Sequence, residues 1–163
     1  MGTSEIILII AVAALIILYL RHNNPPHPPV INLCTTQMKT IILEAGIVFN
    51  RLQTWWMSFL TKVGLNKSGI VSQDPLTNAI QRMRYTISSL HVTNQTSKSV
   101  YEIMNSELAR FGTVTKYVNG VGQKLLYSGK YSSDLKIYNS FFSSTDNISA
   151  HLISEPIINY CRA

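Results

Sequence analysis

The sequence predicts a mainly α-helical protein made of a single N-terminal transmembrane helix, a proline spacer and a small helical domain. Three observations predict it. Ile6 to Leu20 reads IILIIAVAALIILYL, an apolar run without a charged side chain. His22 to Val30 then reads HNNPPHPPV. From Thr35 onward, apolar residues recur at three- and four-residue steps, separated by helix-start and helix-stop signals. The expected segments are an anchor over 1–21, a spacer over 22–31 and a helical domain over 32–163, with a β-hairpin as the alternative for the last third of the domain.

The anchor is carried by Ile6, Ile7, Leu8, Ile9, Ile10, Leu15, Ile16, Ile17, Leu18, Tyr19 and Leu20. At ~1.5 Å per residue the apolar run covers roughly 22 Å, short of the ~30 Å hydrocarbon core. Gly2, Thr3 and Ser4 extend it at one end, while Tyr19 and Arg21 suit the headgroup region at the other. That length fits a thin membrane best. A cleavable signal peptide fits worse: Glu5 stands where a basic residue is expected, and Ala11-Val12-Ala13 lies inside the apolar run instead of after it. Arg21 and Lys39 follow the run, which weakly favours the cytosolic or interior side for the domain. Sequons at Asn66, Asn94 and Asn147 are no more than a chain rich in Asn, Ser and Thr provides by chance.

Two proline pairs favour polyproline II, which at ~3.1 Å per residue makes a stiff spacer of about 25 Å. Beyond it, Ile42, Ala45, Phe49, Leu52, Trp56, Phe59 and Val63 mark a helix from Thr35 to about Leu65. Ile41, Val48, Trp55 and Leu60 widen its stripe, so this helix needs partners on more than one side. Glu44, Asn50 and Arg51 divide the run and exclude a second membrane pass. Asp74-Pro75 is a helix start, an N-cap acceptor followed by proline at the first helical position, and Leu76, Ile80, Met83, Ile87 and Leu90 line one face up to about His91. Ser99-Val100-Tyr101-Glu102 fits a capping box for a helix that Gly112 stops. Val114, Val118, Val121 and Leu125 continue a helical spacing, weakened by Gly120 and Gly122. In the last third, Leu135, Tyr138 and Phe142 make a helical face, whereas Leu135, Ile137, Asn139 and Phe141 alternate as a strand would. Helix is the reading adopted there. Asp146-Asn147 is expected to cap a short final helix ended by Pro156.

The apolar fraction of 46 % is ordinary, but the charged fraction of 13 % is about half the ~25 % typical of globular domains. That combination argues against disorder and suits a surface lying against lipid or neighbouring subunits. The net charge is +6, yet the fourteen Lys and Arg are scattered, with Arg82 and Arg84 the one close pair, so nucleic acid is not an expected partner.

The sequence shows no catalytic, cofactor or metal motif. Cys34 and Cys161 stand far apart; two free thiols are expected, with a Cys34–Cys161 disulfide as the alternative. His22, His27, His91 and His151 share no ligand spacing, and the eight Asp and Glu are dispersed. Gly120-Val121-Gly122-Gln123-Lys124 lacks the spacing and the hydroxyl of a phosphate loop, so its glycines are read as permitting close packing or a bend. Trp55 and Trp56 are the chosen partner-contact residues, because tryptophan is favoured at contact centres.

The expected function is therefore non-enzymatic: a single-pass structural subunit of a large assembly, with a lipid bilayer and other protein subunits as partners and no small-molecule substrate. The narrowest form of this reading is a virion minor capsid or envelope protein linking a membrane to a protein shell. An accessory single-helix subunit of an organellar membrane complex is one alternative. A membrane-tethered binding or entry module is another, and it expects occupied sequons and a bridged cysteine pair.

Overall fold

An apolar run with no water at hand must satisfy its backbone hydrogen bonds internally, and a helix does so within one segment. In the computed structural model, which describes residues 2–23, 30–92, 96–154 and 157, the run forms α1 (Thr3–Asn23). The chain divides into two units, Met1–Val30 and Ile31–Ala163. In the first, Thr3–Leu20 is long and apolar enough to cross a membrane, and none of that stretch is buried. At ~1.5 Å per residue the 21 residues of α1 reach roughly 32 Å, because the helix continues through His22 and Asn23 into the expected spacer. Glu5 lies in the first turn, where a carboxylate favours the helix dipole, and its Oε2 accepts the Gly2 N–H at 3.3 Å. The spacer prolines lie outside the described residues.

The second unit is built around α2 (Val30–Lys62), whose 33 residues run about 50 Å. It begins before the expected Thr35 and buries Met38, Ile42, Ala45, Phe49, Leu52, Trp56 and Phe59, a stripe at three- and four-residue steps. A Schellman turn ends it. Gly64 takes φ +76°, its N–H donates to Thr61 O at 3.1 Å, and the Leu65 N–H reaches back to Leu60 O at 2.8 Å. After the single turn of α3 (Ser68–Val71) comes α4 (Pro75–Val92), which runs antiparallel to α2: Trp56 meets Thr77 near its start, and Asn50 meets Arg84 further along. Next come α5 (Ser97–Lys116), α6 (Val121–Leu126) and α7 (Ser132–Leu152). The last also runs antiparallel to α2, through Lys62–Asp134 at one end and Glu44–His151 at the other, both at 2.8 Å or less. Phe111 of α5 meets Phe49 edge to face at 4.9 Å, so α2 is covered from several sides at once.

Several boundaries differ from expectation. The N-cap of α5 is Thr96, whose hydroxyl accepts the Ser99 N–H at 3.2 Å, and Ser99 is already inside the helix. Gly112 does not stop α5; it is exposed with open space around it, and Phe111 and Thr115 on the buried face hold the helix together to Lys116. The helical spacing from Val114 to Leu125 is broken at Tyr117–Gly120, where the chain is extended before α6. The last third is one long helix, and no strand occurs among the described residues. Tyr138, Thr145, Ile148 and Leu152 share its buried face, which runs through Asp146-Asn147 without interruption and leaves those two exposed in mid-helix instead of capping a new one. Pro156 lies outside the described residues.

Two glycines separate close packing from mere tolerance. A Cβ on Gly122 would come within 2.8 Å of Leu60 and 2.9 Å of the Trp56 ring, whereas one on Gly112 meets nothing within 4 Å. Gly122→Ala is expected to destabilise the helical unit by about 1–3 kcal/mol through overpacking. Gly112→Ala is expected to stabilise it by about 0.5–1 kcal/mol by restricting the unfolded chain. Denaturant midpoints of the two variants in detergent solution check both signs.

Candidate functional site

Polar groups that leave water must find partners, and the interior of the second unit holds such a group at the start of α4. Trp56 is fully buried, and its indole Nε1–H donates to Asp74 Oδ2 at 2.9 Å and to Thr77 Oγ1 at 3.0 Å. The same Oδ2 accepts the Thr77 backbone N–H at 2.8 Å and the Thr77 hydroxyl at 2.6 Å. Asp74 is therefore the expected N-cap of α4, and it is also the acceptor that ties α4 to α2 across the turn.

A second polar chain lies beside it. Gly120 donates its N–H to Gln123 Oε1 at 3.2 Å, and Gln123 Nε2 donates to the Tyr138 hydroxyl at 3.4 Å. Gln123 and Tyr138 are both buried. Burial pushes the Tyr138 phenol up to about 12, opposed by the Gln123 hydrogen bond and reinforced by Tyr127 and Asp74. On the outer face of the unit Arg82 grips Glu107 with two bonds of 2.8 and 3.0 Å. That hydrogen-bonded guanidinium holds the Glu107 carboxyl below its ordinary range, with partial burial opposing it and Arg110 adding to it.

Beside Asp74 opens a cleft of about 300 Å³, lined by Leu60, Leu65, Gly69, Ile70, Gln73, Asp74, Pro75 and the segment from Asn119 to Gly122. Gly120 keeps it open, since a Cβ there would sit 2.7 Å from Asp74 Oδ1 and 3.1 Å from Pro75 Cδ. The cleft therefore offers one carboxylate oxygen, side-chain amides of Gln73 and Asn119, and an apolar rim.

Ile6–Ile10 and Leu15–Leu20 are all exposed along α1. Trp56 has no surface to present to a partner and is corrected to a core residue: α4 covers its side of α2, and its N–H is taken by Asp74. Trp55 is half-buried, stacked on Phe59 and on Tyr138 of α7 with ring centroids 5.9 Å apart and leaning on Phe141. The side chain of Cys34 and all of Cys161 lie outside the described residues. No group of three His, Cys, Asp or Glu that could hold a metal ion occurs among the described residues. Sequence reasoning found Asp74 as a cap and the two glycines as a packing device, but missed that the two meet in one cleft. No local signal links positions so far apart.

The raised phenol has a consequence for stability. A group whose pKa is higher folded than unfolded contributes stability that is complete below the unfolded value and lost as pH rises towards the folded one. For Tyr138 that window runs from 10 to about 12. Stability is expected to fall across this range more steeply in the natural protein than in Tyr138→Phe, as read from denaturant midpoints at successive alkaline pH values. Comparison with protein-family models, with curated proteins and with solved structures finds no match to this chain.

Proposed function

We propose that the chain is a non-enzymatic, single-pass membrane-anchored structural subunit of a large assembly. In its narrowest form it ties a membrane to a protein shell, as a minor capsid or envelope protein of a virion does. The observation that carries this reading is the contrast between the two units. Ile6–Leu20 carries apolar side chains around its whole circumference and none of Thr3–Leu20 is buried, while residues from Met38 to Ile157 close around a core of their own. A helix apolar on every side has no stable place in water and finds cover in lipid.

The surface of the second unit supports the structural role. Leu43 and Ile47 stand exposed one turn apart on α2, Tyr85 on α4 is 77 % exposed, and Tyr117 and Val121 flank the α5–α6 break. Exposed apolar and aromatic side chains on a sparsely charged surface suit contact with neighbouring subunits.

The test is the native mass after gentle detergent extraction from the source membrane. The reading expects a particle far above the 18.3 kDa of the chain, and expects removal of Thr3–Leu20 to release the rest from the membrane. A monomer or small oligomer would overturn the structural role. Retention on the membrane after that deletion would overturn the anchor.

A further inference from the structure

We infer that the cleft at the α3–α4 turn is a docking site for a lysine side chain of a different protein, with the ammonium bound to Asp74 Oδ1 and the aliphatic stem lying between Ile70 and Val121. The inference deepens the structural-subunit reading and rests on it.

The chemistry of Asp74 points to this occupant. The residue is 6 % exposed, and three donors converge on Oδ2 while Oδ1 takes no hydrogen bond from the described residues. Among the described residues no buried side-chain oxygen or nitrogen lacks a partner, so Oδ1 is the oxygen that reaches the open cleft. The absence of a Cβ on Gly120 preserves that opening, since one would stand 2.7 Å from Oδ1. Among the described residues no Lys, Arg or His lines the cleft, so the carboxylate meets none of their cationic side chains there; the α4 N-terminus offsets its charge only in part.

The geometry also separates lysine from arginine. A guanidinium fork is best matched by both oxygens of a carboxylate, and here Oδ2 is already filled by Trp56 and Thr77. A single free oxygen suits the point charge of an ammonium. Ile70 and Val121, 39 % and 58 % exposed, form the apolar lips along which a four-carbon stem would lie.

The test uses the full chain in its source membrane. A zero-length carbodiimide treatment, which condenses a carboxylate with an amine to an amide, is followed by gentle extraction, native sizing and peptide mass spectrometry. The expected result is an amide between Asp74 and a lysine of a companion protein, lost in Asp74→Asn. Two variants leave Asp74 intact and change exposed positions only. Ile70→Lys places a competing cation at the mouth and is expected to lower the co-extracted companion about tenfold or more; Thr113→Lys, which adds the same charge on α5 at a residue that does not line the cleft, is expected to retain it. A large native particle in which Asp74 forms no such amide and the two variants behave alike would overturn the docking site and leave the subunit reading standing. An amide to a lysine of a second copy of this chain would likewise overturn it. A monomeric native mass would overturn both.

Discussion

The hydrogen bond from the Trp56 indole to Asp74 is the contact on which the arrangement of the second unit depends. It joins the longest helix to the start of the next long one across the turn that contains α3, and it does so inside the core. A buried indole N–H and a buried carboxylate would each be costly alone, at roughly 1–3 kcal/mol or more for an unmet group. Together, with Thr77 closing the triangle, they satisfy one another and fix where α4 begins. Trp56 also supplies the wall against which Gly122 packs, so the register of α6 follows from the same side chain.

The cleft is a by-product of that geometry. Oδ2 is occupied by the donors that hold the fold, and Gly120 packs so close to Oδ1 that a Cβ there would stand 2.7 Å from it. One carboxylate thus caps a helix, ties two helices together and lines the cleft. Beside it, the Gln123–Tyr138 chain carries polar contacts from α6 to α7, while Trp55 stacks on Tyr138 from the α2 side. These contacts all lie within the second unit.

Much of the fold was legible in the chain. The apolar helix, the wide stripe of α2 and the Asp74-Pro75 start are local patterns, and local patterns survive without knowledge of the tertiary structure. The errors arose where two local signals competed. Thr96 and Ser99 are both capping residues three positions apart, and Glu102 made the later one look stronger, yet the helix takes the earlier. Gly112 and Asp146-Asn147 read as boundaries, but the buried faces of α5 and α7 run straight through them, and packing overrides propensity. The Trp55–Trp56 pair showed that tryptophan mattered there without showing which ring faced inward, since apolar residues flank the α2 stripe on both sides. The cleft was invisible because it is assembled from three separate segments, and no spacing in sequence encodes their meeting.

The most direct test is a double-mutant cycle between Trp56→Phe and Asp74→Ser, read by denaturant unfolding of the full chain in detergent. Serine keeps an N-cap acceptor for α4 but is too short to reach the indole, so the cycle isolates the bond between the helices and cancels the lost ring volume. The structure predicts a coupling of about 1.5–3 kcal/mol, the range for a hydrogen bond to a charged group. Effects that add to within about 0.3–0.5 kcal/mol would contradict it, and would mean that α4 is placed by apolar packing alone.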